Sequence, residues 1–265
     1  MTFVTSIATG IMTFSLLQQA PVEVTHTINQ VVEKTIDEVS PATTGILSTV
    51  TTAPKTVTTT VVVNEDDQVT SAINKNTQSI VRIEENNPSD GTTNFFGIGV
   101  VLTKDGQIAM PRQTVTAGNT YSAILPNGLM LGLNPVGVDK STMFLLFVPL
   151  KQSTTTSQFV PATLASADAQ LGQTVIMLGG DTTNAVAVGR VVSLATKNGT
   201  VGSTTAPYIS AVLTDVSTKD AVIGSPLINL SGEIFGFEPA DGMSKSFTSV
   251  TVLKRELPTL VQSIP

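Results

Sequence analysis

The chain has 265 residues, of which 41% are hydrophobic and only 13% are charged, and its net charge is −6. This composition excludes a disordered chain, and the negative charge argues against nucleic acid as a partner and against membrane binding through basic residues. The chain contains no cysteine, which excludes a disulfide framework and thiol chemistry, and its single histidine is His26.

Residues 1–20 are predicted to attach the chain to a membrane. The segment 3–17 is uncharged and mostly apolar, and Met1–Leu17 would span roughly 26 Å as a helix, close to the thickness of a bilayer core. No basic stretch precedes the apolar run and Gln18 disrupts a cleavage site, so we interpret residues 1–20 as a membrane anchor or an uncleaved signal. We then expect the remaining chain outside the cytoplasm, in a periplasm or at a cell surface. A helix packed on the folded domain is the alternative.

Residues 21–63 are predicted to form a short helix and a tether. Apolar residues recur at helical spacing from Ile28 to Val39, which indicates a solvated helix or one that associates with copies of itself. Residues 40–60 are rich in Thr and Pro, which is typical of an extended tether.

The folded domain is predicted to comprise residues 64–265. Asn64–Asp67 supplies an N-cap and an acidic first turn for a helix that carries Val69, Ala72 and Ile73. The same acidic residues could hold a cation, but the helix start explains them better.

After this helix, short apolar stretches alternate with turn residues such as Lys104-Asp105-Gly106 and Pro126-Asn127-Gly128. Two groups of about six strands with few helices predict an all-β fold of two packed six-stranded antiparallel barrels, at about 75–152 and about 157–252. A C-terminal helix is predicted at about 253–262. The predicted strands are Ser79–Glu84, Gly97–Thr103, Gln107–Met110, Tyr121–Leu125, Met130–Val138, Phe144–Val148, Ala162–Leu164, Thr174–Leu178, Ala185–Leu194, Ile209–Leu213, Pro226–Asn229 with Ile234–Phe237, and Phe247–Val252.

Several segments occur in the order and spacing of one protein family. They are Gly97–Leu102, Leu171–Gly179, Gly189–Ser193, Thr214-Asp215 and Gly224–Asn229, the last followed by a Gly-Glu strand. Together they resemble the trypsin-like serine proteases of the HtrA/DegP type over roughly residues 67–255. The resemblance implies the two-barrel fold and a cleft between the barrels that binds peptides by adding a strand. We expect no PDZ-like domain.

The catalytic triad of that family is degenerate in this sequence. The positions of the family's histidine, aspartate and serine hold Gln113, Met143 and Ile223. The glycine that shapes the family's oxyanion hole is Ala221. None of these residues can activate a nucleophile, act as one, or orient an imidazole.

Other chemistry has little support in the sequence. His26 lies before the folded domain, so no imidazole is available there. Ser225 with Lys219 as base is the only alternative nucleophile pair that we consider, although Ser225 stands at a family glycine position next to Pro226. Asp139, Asp168 and Glu233 form no recognisable carboxylate pair or metal set, so we expect no cofactor and no metal.

The sequence thus predicts a membrane-tethered, catalytically inactive protein of trypsin-like fold. It would bind a protein or peptide, or serve as a structural unit of an assembly, and the partner could be a second copy of the same chain. The alternative is a serine endopeptidase with non-standard catalytic residues. We assign Gly224, Ser225 and Arg190 to a candidate peptide groove. Because Met143 and Ile223 are apolar, we also expect the former active site to be packed shut.

Overall fold

The computed structural model describes residues 30–33, 60–150, 159–201, 204–240 and 245–264. The chain divides into two compact units, Met1–Asn64 and Glu65–Pro265. None of the helices among the described residues is long and apolar enough to cross a membrane.

In the first unit the described residues form two short strands. β1 (Gln30–Glu33) and β2 (Thr60–Val63) pair antiparallel, with Gln30 opposite Val63. β1 lies within the segment predicted to be helical, so that prediction is wrong for these four residues. Val31 and Val32 are β-branched and favour an extended backbone where a partner strand is available. The rest of that segment and the predicted membrane anchor lie outside the described residues.

The second unit begins with helix α1 (Glu65–Thr77), whose first turn carries Glu65, Asp66 and Asp67 as predicted. These acidic side chains stabilise the positive end of the helix dipole. Near the C-terminal end of the helix, the buried Asn76 side chain donates to the carbonyls of Ala72 and Gly232, both at 2.9 Å. The bond to Gly232 ties the helix to a turn of the second barrel.

Barrel one is a closed ring of six antiparallel strands in the order β3-β4-β5-β8-β7-β6. Its core is filled by large side chains from alternate strand positions, including Ile83, Ile108 and Phe147. Each such side chain contributes about 1.5–3 kcal/mol on full burial. The strands are β3 (Ile80–Asn87), β4 (Thr92–Val101), β5 (Ile108–Pro111), β6 (Thr120–Ile124), β7 (Met130–Val136) and β8 (Phe144–Pro149).

Barrel two closes through the ring β13-β10-β11-β12-β15-β14, and β13 pairs with β14. A short strand, β9, is added parallel to β14. All six residues of β10 are buried, which explains why its sequence is a continuous apolar run. The strands are β9 (Thr163–Leu164), β10 (Thr174–Gly179), β11 (Ala185–Val201), β12 (Thr204–Thr214), β13 (Pro226–Asn229), β14 (Glu233–Phe237) and β15 (Ser246–Ser249).

These two barrels confirm the predicted all-β fold. Several elements differ in extent from the prediction, among them β11, β12 and the C-terminal helix. β11 and β12 continue as a long hairpin to Val201 and back from Thr204, well beyond the predicted strand ends. The C-terminal helix α2 (Val250–Val261) begins three residues early, because the Ser249 side chain caps it by accepting a hydrogen bond from the Thr251 N–H at 3.2 Å.

The two barrels are joined at their cores and by helix α2. The rings of Phe144 in β8 and Phe237 in β14 meet edge to face, with centroids 5.2 Å apart. Helix α2 follows barrel two in sequence and carries Glu256, whose carboxylate binds the backbone at the start of β8. These contacts fix the start of β8, next to Met143.

Candidate functional site

The pairing of strands brings the triad-equivalent positions to the same end of barrel one. Gln113 follows β5 and Met143 immediately precedes β8, and Pro111 pairs with Phe144 across these two strands. Ile223 lies in the loop between β12 and β13 of barrel two. Gln113 and Ile223 line one cleft. Met143 does not line it, but its carbonyl is hydrogen-bonded to the N–H of Arg112, which does.

Gln113 is fixed by a hydrogen bond to barrel one. Its side-chain Nε2 donates to the carbonyl of Phe96 in β4. The amide therefore stands where the resemblance places a histidine, and one of its two N–H groups is committed to the backbone of β4. An amide also has no proton equilibrium near neutral pH, so it cannot serve as a general base.

The loop that carries Ile223 is docked on β4. The carbonyl of Ile223 accepts a hydrogen bond from the N–H of Ile98 at 2.8 Å, and the Gly224 N–H donates to the carbonyl of Glu238 at 2.9 Å. Gly224 has a φ of +85°, and a β-carbon there would lie 1.9 Å from the Ile98 carbonyl oxygen. Only glycine permits this approach. The Ile223 side chain is half-buried against the core of barrel one.

Two N–H groups just before Ile223 are used within the loop. Ala221 donates to the carbonyl of Thr218 at 3.1 Å, and Val222 donates to the side-chain oxygen of Ser225 at 2.9 Å. An oxyanion hole requires N–H groups aimed at one point outside the loop. The Ala221 and Val222 groups do not meet that requirement.

Met143 is the clearest difference from the sequence expectation. Its side chain is 52% exposed, so the prediction that it packs into a core between the barrels is wrong. The residue is held by its backbone instead: its N–H donates to both carboxylate oxygens of Glu256 at 2.8 and 2.9 Å, and its carbonyl accepts from the Arg112 N–H at 2.8 Å. An apolar residue type does not guarantee burial at a strand end that faces solvent.

Arg112 and Glu256 form a clamp that sequence reasoning missed. The guanidinium of Arg112 donates to the carbonyls of Gly137 at 2.7 Å and Thr142 at 2.5 Å, and to the Thr142 hydroxyl at 2.7 Å. Burial raises the pKa of Glu256 above its ordinary value, although the Met143 and Phe144 N–H groups and the Arg112 charge oppose this. Glu256 is 113 residues from Met143 in sequence, so no local pattern could have paired them.

The cleft is open. It has a volume of about 930 Å³, and exposed apolar side chains line it, among them Phe95 and Val138 at 38% and 43% exposure. A second recess of about 330 Å³ shares Phe95, Phe96, Gln113 and Ile223 with it. The prediction that the former active site is packed shut is therefore wrong.

One wall of the cleft carries an ordered carboxylate that the sequence did not single out. Oε1 of Glu85 in β3 accepts hydrogen bonds from the Tyr121 hydroxyl at 2.7 Å and from the Asn119 side chain at 3.0 Å. Burial raises the pKa of Glu85, but hydrogen bonds from Tyr121, Asn119 and Thr116 outweigh burial and hold that pKa below its ordinary value. Burial, together with the bond to Glu85, raises the pKa of Tyr121 to about 12.

The residues predicted for the peptide groove do not line this cleft. Gly224 is buried, and Ser225 has no exposed surface. Arg190 donates to the carbonyl of Gly172 at 3.1 Å and lies 3.9 Å from a Glu65 carboxylate oxygen, away from the cleft. Of these three residues, Gly224 affects the cleft indirectly. Because it has no β-carbon, the loop can approach β4 closely enough to place Ile223 in the cleft.

The carboxylates considered for metal binding do not form a set. Asp168 accepts a hydrogen bond from the Thr251 hydroxyl at 3.1 Å, Glu233 accepts one from the Asn229 side chain at 2.9 Å, and Asp139 pairs with Lys140 at 3.1 Å. Within the described part of the chain, no group of three or more His, Cys, Asp or Glu side chains could hold a metal ion.

Comparison with known proteins supports the fold. Neither protein-family models nor curated proteins give a match. Among solved structures, the chain is similar to one titled "Crystal structure of Deg5", with a TM-score of 0.59 and 20% sequence identity over 74% of this chain and 95% of that chain. The similarity supports a trypsin-like fold of the HtrA type, and at this level of identity it concerns the fold alone.

Proposed function

We propose that this protein binds an extended peptide or protein segment in the cleft between its barrels and does not hydrolyse it. The observation that carries the proposal is the combination of an open cleft of about 930 Å³ with a floor whose polar groups are already hydrogen-bonded to the protein. Clefts of this size, with apolar walls and a few polar groups, are the usual form of a binding site.

The absence of hydrolysis is supported by three features of the site. Gln113 is not a base, Ile223 has no hydroxyl, and the N–H groups of Ala221 and Val222 are used inside the loop. The alternative, a serine endopeptidase that uses Ser225, is disfavoured because the Ser225 side chain is fully buried and accepts the Val222 N–H.

The attachment to a membrane outside the cytoplasm remains part of the proposal. It is supported by the uncharged, apolar sequence of residues 3–17. In this arrangement the N-terminal segment would keep the cleft near a membrane surface, where it could bind segments of neighbouring proteins.

A role as a structural unit is the second candidate. It is favoured by three exposed valines on β11, Val186, Val188 and Val192, which are 47–55% exposed. Contiguous exposed apolar residues mark surfaces that contact other chains. Sedimentation of the full chain tests this candidate: a monomer at micromolar concentration argues against self-assembly.

The peptide-binding proposal is tested by removing one aromatic side chain from the cleft wall. The probe is a pool of fluorescein-labelled octapeptides of random sequence, and binding to the full chain is followed by fluorescence polarisation. Phe95→Ala should weaken binding by about 1–2 kcal/mol, because exposed aromatic residues dominate such interfaces. The matched control is Leu171→Ala, which removes an exposed apolar side chain from barrel two outside the cleft. Equal effects of the two substitutions would refute binding in the cleft.

A further inference from the structure

We propose that the Glu85 end of the cleft binds a lysine or arginine side chain of the bound peptide. This inference rests on the proposed peptide-binding function and specifies the chemistry of the ligand. Three observations carry it: a fixed carboxylate in the cleft wall, the lack of a cationic partner for it among the described residues, and an exposed aromatic ring in the same cleft.

The Glu85 carboxylate is held in place before any ligand arrives. The buried Tyr121 side chain donates to Oε1 at 2.7 Å and Asn119 donates to the same atom at 3.0 Å. Thr116 also acts on this carboxylate, but the bonds from Tyr121 and Asn119 are both made to Oε1. A carboxylate has about four acceptor positions on its two oxygens, so Oε2 is the atom that can receive a cationic donor. The hydrogen bonds also keep its pKa below the ordinary value, and the group is therefore charged at neutral pH.

No described residue forms an ion pair with Glu85. The ion pairs among the described residues join Lys140 to Asp139 and Arg190 to Glu65. Among the described residues that line the cleft, Arg112 is the only basic one. Its guanidinium binds the backbone carbonyls of residues 137, 138 and 142, and its charge acts on Asp139 and Glu256. The cleft is therefore negative at the Glu85 end.

Aromatic side chains complete the recognition of a cation. Phe95 and Phe96 line the cleft together with Glu85, and the Phe95 ring is 38% exposed. A guanidinium or ammonium group is attracted to the face of such a ring, and its alkyl stem packs against apolar surface. A free polyamine is another cation that could bind a single carboxylate. The cleft volume of about 930 Å³ is much larger than a polyamine would fill, which favours a peptide that carries the cationic side chain.

The test uses two pools of labelled octapeptides that differ only at the fourth residue, which is arginine in one pool and its neutral isostere citrulline in the other. The full chain should bind the arginine pool about tenfold more tightly, since an ion pair and a cation–π contact act together. Glu85→Gln should abolish this preference and leave the affinity for the citrulline pool unchanged. Phe95→Leu should reduce the preference.

The matched control is Glu65→Gln, which removes the same charge from the first turn of helix α1, outside the cleft. It should leave the arginine preference intact. Equal binding of the two pools to the unaltered chain would overturn the inference while the proposed peptide binding stands, and that comparison does not depend on how any variant folds. Binding of neither pool would overturn the proposed function itself. Spermidine that competes as effectively as the arginine pool would overturn the assignment to a peptide side chain.

Discussion

The docking of the Ile223 loop on β4 can be tested by adding a single methyl group. In Gly224→Ala the new β-carbon would lie 1.9 Å from the Ile98 carbonyl oxygen, and the residue would have to keep a φ of +85°. The left-handed conformation costs an alanine about 1–2 kcal/mol. To avoid the clash the loop must also move away from β4. It then loses the hydrogen bond from the Ile98 N–H to the Ile223 carbonyl, worth about 1 kcal/mol. We therefore expect the free energy of unfolding to fall by about 2–3 kcal/mol.

The control for this prediction is Gly118→Ala. Gly118 has a φ of +90°, but a β-carbon there would meet nothing within 4 Å. This substitution measures the backbone cost alone, so it should destabilise by about 1–2 kcal/mol. Urea unfolding of both variants gives the comparison. Equal losses at the two positions would mean that the loop is not docked on β4, and the account of the cleft floor would then be wrong.

The remaining predictions concern the three triad-equivalent positions, Glu256 and the N-terminal segment. The triple change Gln113→His, Met143→Asp, Ile223→Ser should not create peptidase activity, because the Ala221 and Val222 N–H groups remain committed; measurable casein hydrolysis would contradict this. The same variant should lose only about 1–2 kcal/mol, since Ile223 is half-buried and Met143 is exposed, and a loss above about 4 kcal/mol in thermal unfolding would restore the packed-core interpretation. The folded state raises the pKa of Glu256, so its stabilising contribution is present below the ordinary pKa of 4.5 and is lost as the pH rises through the folded value. The difference in unfolding free energy between the unaltered chain and Glu256→Gln should therefore decrease as the pH rises above 4.5. An increase of this difference with pH would refute the raised pKa of Glu256. Finally, the full chain should partition with membranes and the fragment 64–265 should not; a full chain found in the soluble fraction would contradict the anchor.

The fold could be predicted because its signals are local. Glycine-containing turns and apolar alternation locate the strands of barrel one to within a few residues, and the continuous apolar run of β10 marks a strand buried on both faces. The long hairpin of β11 and β12 was underestimated because residues 195–208 are rich in Thr, Asn and Gly. Cross-strand backbone hydrogen bonds extend this hairpin without the apolar pattern that sequence analysis depends on.

Two of the three triad-equivalent residues lie together in the structure, but their environment was not predicted. The positions of Gln113 and Ile223 follow from local motifs, and the structure places both in one cleft. The exposure of Met143 and the clamp of Arg112 and Glu256 depend on contacts between distant segments, which no local pattern encodes. Glu85 was missed for the same reason, because its partners Tyr121 and Asn119 come from a neighbouring strand and loop. Arg112 directly precedes Gln113, and this charged residue was the one sequence feature that could have indicated the clamp.

Binding without cleavage is the central claim, and one experiment measures both properties in the same sample. The full chain is incubated for a day with the fluorescein-labelled octapeptide pool, binding is followed by fluorescence polarisation, and the pool is then analysed by mass spectrometry. We expect saturable binding and intact peptides. Cleaved products in excess of the protein present would contradict the claim, and so would an absence of saturable binding.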